Sequence, residues 1–457
     1  MKKINLIFLA LVAFAAFSAT AQEKRSITLY DGVVFYNGYD KYVGESEYKG
    51  IVRLANHLYT MKLSNEQLDW SGDELKMNVY VDALCDDYDR IGCVALALVE
   101  KGAEKYDINT TPRMEIGRFI TPFMDKNVEP TRVPYEFDIY NVAFILHDKA
   151  LREKYDFWLE FELFGISGSA EQWIRGCKDR KDVFAGTIEW ETEGNPMALR
   201  SDVLNVPIVM KRVETDDRKN FNNYTEGACD TLGICTKTWR FNLEKDLGES
   251  MLTLISSNHG ANEDGEEYNR RLHLVYFDGE LVSTYVPGEQ SCEPYRVYNT
   301  CPNGIYGYYP MSDERWQSFS NWCPGAIIPI RHFVFNEVKA GEHEIMIRVP
   351  DARFADKQGD FPISMFFQGA ISGSSIAKPV LDGGEPEITF VRDGDNLVAF
   401  TGSHPIMEVQ VISYEGRMIR KQRGESCYIS LADLAPGTYI VALYTADGLL
   451  QTTRFVK

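Results

Sequence analysis

The chain has 457 residues, 44% hydrophobic and 25% charged, a globular composition that excludes disordered and collagen-like classes. Its 48 basic and 67 acidic residues give a formal net charge of −19, which argues against a phosphate-backbone binder. At about 150 residues per domain the length predicts two to four domains, and the 25 Tyr, 25 Phe and 7 Trp suit strands and flat ligands such as sugars.

Lys2 and Lys3 precede an apolar run from Leu6 to Phe17, followed by Ser18-Ala19-Thr20-Ala21. A positive start, a short apolar core and an Ala-x-Ala end predict a secretory signal peptide over residues 1–21. The expected location is therefore outside the cytoplasm: periplasm, cell surface or medium. No Cys lies near the cleavage point, so no lipoprotein anchor is expected. No later stretch approaches 18 apolar residues, so no membrane span is expected either.

Beyond this segment, strand signals dominate. Leu75, Met77, Val79 and Val81 alternate with Lys76, Asn78, Tyr80 and Asp82, the pattern of a half-buried strand. Residues 272–277 and 281–285 flank Asp278-Gly279 and read as a hairpin. His343 to Val349 alternates again. Helical spacing is confined to two short pieces, Asn65 to Trp70 and Asp148 to Lys154. Short strands with frequent turn signals predict sandwiches in preference to a parallel α/β sheet.

Pro379, Gly383, Gly384 and Pro386 mark a linker over 378–387. The last seventy residues have their own strand runs at 397–400, 409–413, 439–443 and 451–456. They read as a separate small β-sandwich, immunoglobulin-like. Tyr414-Glu415-Gly416-Arg417, Leu434-Ala435-Pro436-Gly437-Thr438-Tyr439-Ile440-Val441 and the final Arg454-Phe455-Val456-Lys457 resemble the C-terminal sorting domains of type IX secretion in Bacteroidota. That resemblance implies the type IX secretion machinery as a partner; a plain accessory domain is the alternative.

The segments that could carry chemistry are acidic. Cys85-Asp86-Asp87-Tyr88-Asp89-Arg90 follows a strand directly. Asn262 to Tyr268 holds four carboxylates, but the ligand spacing of an EF-hand fails, since Gly260 and Arg271 would occupy its first and twelfth positions. Glu160 and Glu162 share one face of a strand with Trp158, a face that would ordinarily meet solvent. The seven histidines, at 57, 147, 259, 273, 332, 343 and 404, form no metal-ligand pair, so no metal or other cofactor is expected. No Gly-x-Ser-x-Gly elbow and no phosphate loop occurs. Nine cysteines in an exported chain predict disulfides with at least one Cys left over. Cys229 with Cys235 is one local candidate, and spacing leaves the connectivity open.

Cys85 to Arg90, Glu115-Ile116-Gly117-Arg118-Phe119-Ile120-Thr121-Pro122-Phe123, Gly265-Glu266-Glu267-Tyr268 with Arg271-Leu272-His273, and Asn321-Trp322-Cys323-Pro324-Gly325 occur in the order of the peptide:N-glycosidase F family and resemble it from about residue 45 to 370. The resemblance implies two jelly-roll sandwiches side by side, over 22–205 and 206–377, with the site at their junction; together with the small sandwich read at 388–457 this makes an all-β chain. It implies a monomeric, metal-independent amidase acting on N-glycosylated peptides or proteins. Cleavage of the amide between N-acetylglucosamine and Asn would release the glycan and leave Asp. It assigns catalytic roles to Asp89, Arg90, Glu162 and Glu267, with Glu266 competing for the place of Glu267. It assigns a sugar contact to Trp322 and places Tyr268 where the family has Trp; Tyr88 and His259 are further candidates for substrate contact.

The chemistry suits these residue types. Clustered carboxylates push their pKa values apart, so one can keep a proton while another activates water. The sequence departs from the family pattern at Phe319, where an Arg is expected, and at Gly265 and Asn269, where cysteines are expected. The resemblance also implies a disulfide at Cys85, with Cys93 offered as its mate, and one at Cys323 with Cys292 or Cys301. A glycan-binding protein without catalysis is the alternative reading. A copper monooxygenase of similar architecture is disfavoured by the scattered histidines, and a surface adhesin is a third possibility.

Overall fold

The structure is a computed structural model. It describes residues 24–210, 221–222, 235–260, 265–288, 291–301, 312–317, 319–352, 354, 359–371, 389–393, 395–400, 406–414, 416–423, 428–445 and 450–457. The expected signal peptide, the linker at 378–387, Cys229, Cys427 and Asn262 to Asp264 lie outside the described residues.

The first domain is built from β1 (Arg25–Tyr36), β2 (Ile51–Ala55), β3 (Leu58–Lys62), β4 (Gly72–Ala83), β5 (Ile91–Glu100), β6 (Arg113–Ile120), β7 (Arg132–Asp138), β8 (Tyr155–Leu163) and β9 (Asp182–Pro196). They pair antiparallel in two sheets, β1-β9-β4-β7 and β2-β3-β8-β5-β6. Leu75, Met77, Val79 and Val81 of β4 are buried together with Phe137, Phe161 and Trp190 between the sheets. Strands β5 and β8 are buried along nearly their whole length, so both of their faces are covered. That is why Glu160 and Glu162 are buried and not solvated as alternation alone suggests.

The second domain contains β10 (Val203–Val209), β11 (Phe221–Asn222), β12 (Thr236–Leu243), β13 (Leu247–Ser256), β14 (His273–Phe277), β15 (Glu280–Tyr285), β16 (Arg331–Phe335), β17 (Gly341–Arg348), β18 (Asp360–Phe361) and β19 (Ile363–Ile371). Its sheets run β10-β19-β13-β16 and β12-β17-β14-β15, with a short β11-β18 pair. Strand β10 pairs with β19, so this domain opens at Val203, slightly before the expected residue 206. Asp278 and Gly279 both have positive φ, 49° and 81°, the mirror-image turn that matches strand twist in a tight hairpin.

The two sandwiches are stitched edge to edge. Residues 325–328 of the second domain extend the sheet at β6. Ile120 N–H donates to the Ala326 carbonyl at 2.9 Å, Gly325 N–H to Ile120 at 3.0 Å, and Ile328 N–H to Arg118 at 2.7 Å. Nearby, Phe144, Val203, Met251 and Ala370 form a shared apolar cluster.

The tail contains β20 (Thr389–Asp393), β21 (Asn396–Phe400), β22 (Ile406–Ser413), β23 (Met418–Arg423), β24 (Tyr428–Ser430), β25 (Thr438–Thr445) and β26 (Leu450–Val456). They form sheets β20-β21-β24 and β23-β22-β25-β26 around Val411, Leu431, Val441 and Leu443. The tail also rests on the second domain. Ile412, Ile440 and Ala442 meet Leu272, Leu274 and Tyr276, and the Tyr276 hydroxyl donates to the Tyr414 carbonyl at 2.7 Å.

Both expected short helices form. Ser64 caps Asn65–Asp69 with a capping box, and Asp148 caps Lys149–Lys154. A third, Val142–Leu146, is buried on every side and has no amphipathic period to announce it.

Candidate active site

The loop from Leu84 to Arg90 joins β4 to β5. Three acids crowd it, and the fold gives each a different place. Asp86 is fully buried and holds the loop in shape. Its carboxylate accepts the N–H groups of Tyr88 at 2.9 Å and of Ile166 at 2.6 Å. It also takes the Arg90 guanidinium, with Nε at 2.7 Å and Nη2 at 3.1 Å. Asp87 accepts from the Ser169 hydroxyl. Thr121, in the Arg118-Phe119-Ile120-Thr121 run, accepts Arg90 N–H at 2.8 Å and donates to the Tyr88 carbonyl at 3.2 Å. Asp89 alone turns its carboxyl into the pocket described below.

A disulfide pins the base of this loop. Cys85 bonds to Cys177, with Cα atoms 5.4 Å apart. The expected Cys93 partner is therefore corrected. Cys93 lies on β5 with its thiol 3.3 Å from Glu162, where it donates to the carboxylate. Its side chain follows the strand face and cannot turn back toward the loop.

The second domain supplies the opposite wall from two loops. Residues Glu266–Tyr268 form a single 3-10 turn. Consecutive residues in such a turn point about 120° apart, and the two glutamates separate accordingly. Glu266 is fully buried and binds Arg271, with Nε at 2.9 Å and Nη2 at 3.0 Å. Glu267 lines the pocket, and its carboxylate accepts Gly260 N–H at 3.3 Å. Of the two glutamates, Glu267 is the one that lines the pocket. The Tyr268 hydroxyl also donates to Glu267.

The second loop carries Trp322. Asn321 ties it to the glutamate turn through the carbonyls of Glu266, Glu267 and Asn269, at 2.6, 2.7 and 3.1 Å. The Trp322 ring stacks on His259 with centroids 5.9 Å apart, and its Nε1 donates to the Asn258 carbonyl at 3.2 Å. Cys323 is bonded to Cys292, one of the two mates considered.

These elements enclose a pocket of about 280 Å³ lined by Tyr88, Asp89, Arg90, Ile91, Ile120, Phe164, His259, Glu267 and Trp322. Six of the eight sequence-selected residues line it. Tyr268 stands beside it, 45% exposed, with its hydroxyl on Glu267. Glu162 does not line it. Residues two apart on a strand share a face, so Glu162 lies one rung below Phe164 and Cys93 one rung below Ile91. Glu162 is thus buried beside the pocket, paired across the sheet with Cys93. Ile91 and Ile120 were not singled out from the sequence; as strand-end aliphatics they carry no chemical signal.

The electrostatics divide the acids. Withdrawal from water pushes the Asp89 carboxyl up to about 8, with repulsion from Glu267 adding and Arg90 opposing. Glu267 is also raised by burial, but Gly260 N–H and the Tyr268 hydroxyl favour its charged form. Arg90 offers Asp89 less relief than adjacency suggests, because its fork grips Asp86. Of the two acids Asp89 is the one pushed toward keeping its proton at neutral pH, while the groups around Glu267 favour its charged form against the pull of burial. Such a pair can donate a proton to a leaving group and orient water on one ligand. Among the described residues, no three His, Cys, Asp or Glu side chains gather closely enough to hold a metal ion.

Comparison with known proteins gives the fold and its relatives. The PNGF-II structure matches with a TM-score of 0.56 at 17% identity, over 76% of this chain and 66% of that one; the chain spans about two thirds of its length. Recombinant peptide:N-glycanase F (PNGase F) matches at 0.50 and 16% identity, over 76% and 96% of the two chains. A peptide-N(4)-(N-acetyl-beta-D-glucosaminyl) asparagine amidase matches at 0.50 and 16%, over 77% and 98%. A search of curated proteins found no match. The family description "Peptide-N-glycosidase F, N terminal" matches residues 26–174, and "Peptide-N-glycosidase F, C terminal" matches residues 230–368. Both halves are present in order over more than half of the chain, which belongs to the peptide-N-glycosidase F family.

Proposed function

We propose that the chain is an exported amidase that hydrolyses the bond between N-acetylglucosamine and asparagine in N-glycosylated peptides or proteins. The observation that carries this reading is the meeting of Asp89 and Glu267, from different domains, in one pocket with Trp322. Trp322 and His259 offer a wall of stacked rings, a surface suited to pyranose faces. Asp89 contacts the linkage and keeps a proton for the departing amide nitrogen. Glu267, anionic and held by two donors, orients a water and takes its proton as the water attacks the carbonyl carbon. General acid–base help of this kind is worth about 10²–10⁴ in rate. The amide C–N bond breaks, the peptide keeps an aspartate, and the sugar leaves as a glycosylamine that hydrolyses in water. The acidic composition and the signal-peptide-like sequence of residues 1–21 support export.

The test is mass spectrometry of residues 22–457 incubated with a denatured N-glycoprotein in normal and ¹⁸O water. Complete glycan loss, Asn converted to Asp and one ¹⁸O retained in that Asp are expected. A single N-acetylglucosamine left on Asn refutes amide cleavage. An intact glycopeptide that stays bound indicates a lectin-like protein instead.

A further inference from the structure

The Glu115 to Phe123 run has a role in the pocket that its resemblance does not explain. In β6 the register against β5 shifts between Val94 and Ala95, so Ile116 is an extra residue opposite no partner. Residues three apart on a regular strand face opposite sides. The bulge brings Glu115 and Arg118 to the same side, and they pair with both carboxylate oxygens, at 2.7 and 2.8 Å.

Arg118 is fully buried and reaches across the domain seam. Its Nη1 donates to the Ser257 hydroxyl at 2.9 Å and to the Pro362 carbonyl at 2.8 Å, and Nη2 also donates to the Ser364 hydroxyl at 3.3 Å. All five guanidinium N–H groups are therefore used. Ser364 in turn donates to Glu115. Ser257 is 1% exposed, and its oxygen lies 2.8 Å from His259 Nε2.

Arg118 can only donate, so Ser257 accepts from it. Ser257 is itself buried, so its own proton needs an acceptor within the protein, and among the described residues His259 Nε2 is the one at hydrogen-bond distance. A proton on Nε2 would leave that hydroxyl hydrogen buried without a partner, which is costly. We propose that Arg118 and Ser257 are positioning residues of the site: they hold His259 neutral, with its proton on Nδ1 and its ring fixed against Trp322. The inference takes the amidase reading as its setting, but the tautomer itself does not depend on it. At metal-bound histidines, losing the partner that sets the tautomer costs about 10- to 100-fold, and an effect of about tenfold is expected for His259, whose ring nitrogens are set in the same way.

Arg118 variants would break a buried ion pair and endanger folding, so Ser257→Ala is the informative change. It removes one hydroxyl and leaves the Arg118–Glu115 pair in place. Histidine-selective ¹⁵N NMR of the full chain, with the His259 signal assigned by its loss in His259→Gln, reads the tautomer without any turnover. The wild type should show the Nδ1–H form. Ser257→Ala should shift that signal toward the Nε2–H or charged form and lower kcat/KM about tenfold or more. A wild-type ring in the Nε2–H or charged form overturns the proposal. So does a Ser257→Ala variant with unchanged ring signals. If the wild type releases no glycan at all, the amidase reading fails while the tautomer result still stands.

Discussion

Asp89 offers a titration that can be read without substrate. Its carboxyl is held near 8, against about 3.9 in an unfolded chain. Between these values the folded state binds one proton more than the unfolded state. Stability must then fall as pH rises, by about 1.36 kcal/mol per unit. From pH 5 to 7 this amounts to about 2.7 kcal/mol. For a domain of 150–250 residues each kcal/mol moves Tm by about 2–4 °C, so the expected shift is about 5–10 °C. Asp89→Asn mimics the protonated side chain and removes the effect. Calorimetric scans of both proteins from pH 5 to 8 should diverge, with the variant gaining on the wild type as pH rises. Titrating groups that do not interact with Asp89 cancel in the difference. Curves that stay parallel within about 1 °C would mean that Asp89 ionises in the ordinary range and that the shared-proton argument is wrong. The same titration bears on catalysis: if Asp89 must carry its proton, kcat/KM should decline above about pH 8, with an apparent value that belongs to the Asp89–Glu267 pair.

Glu267→Gln should reduce kcat by about 10²–10⁴, whereas Glu162→Gln, which does not line the pocket, should cost less than tenfold; equal losses in steady-state kinetics would contradict the geometry. The Cys292–Cys323 bond closes a 31-residue separation beside Trp322. Replacing both with Ser should cost about 4 kcal/mol by loop entropy and raise KM, and an unchanged Tm would refute a bracing role. Removing residues 389–457 uncovers Leu272, Leu274 and Tyr276, each worth about 1.5–3 kcal/mol of burial. The second domain's calorimetric transition should drop by at least about 5 °C; no change would mark the tail as an independent appendage.

Local physics made much of this legible in advance. Period-two alternation placed β4, and Asp278-Gly279 placed a hairpin because only a few residues tolerate positive φ in succession. The acids of the 85–90 loop were visible as a group, but their division was not. Asp86 is occupied by Ile166 N–H, 80 residues away, and Cys85 by Cys177, 92 away. Glu266 and Glu267 are chemically alike in the sequence, and only the 3-10 turn sends one to Arg271 and the other to the pocket. The tail's own strands were readable, whereas its seat on Leu274 and Tyr276 depends on a surface that exists only after folding. Alternation put Glu160 and Glu162 on one face correctly; that the face is covered follows from the whole fold.

The acid pair explains why the seam between the sandwiches must be exact. Asp89 belongs to a loop of the first domain and Glu267 to a turn of the second, so their mutual repulsion exists only while the domains are joined. A gap would admit water, weaken that repulsion and let Asp89 ionise. The joint is made by backbone pairing of residues 325–328 along β6, immediately after the bulge that aims Glu115 and Arg118 together. Thr121, at the end of the same run, holds the Asp89 loop through Arg90 and Tyr88, while Arg118 holds the His259 loop through Ser257. One short run of sequence thus fixes both walls of the pocket relative to each other, although, apart from Ile120, none of its side chains lines it.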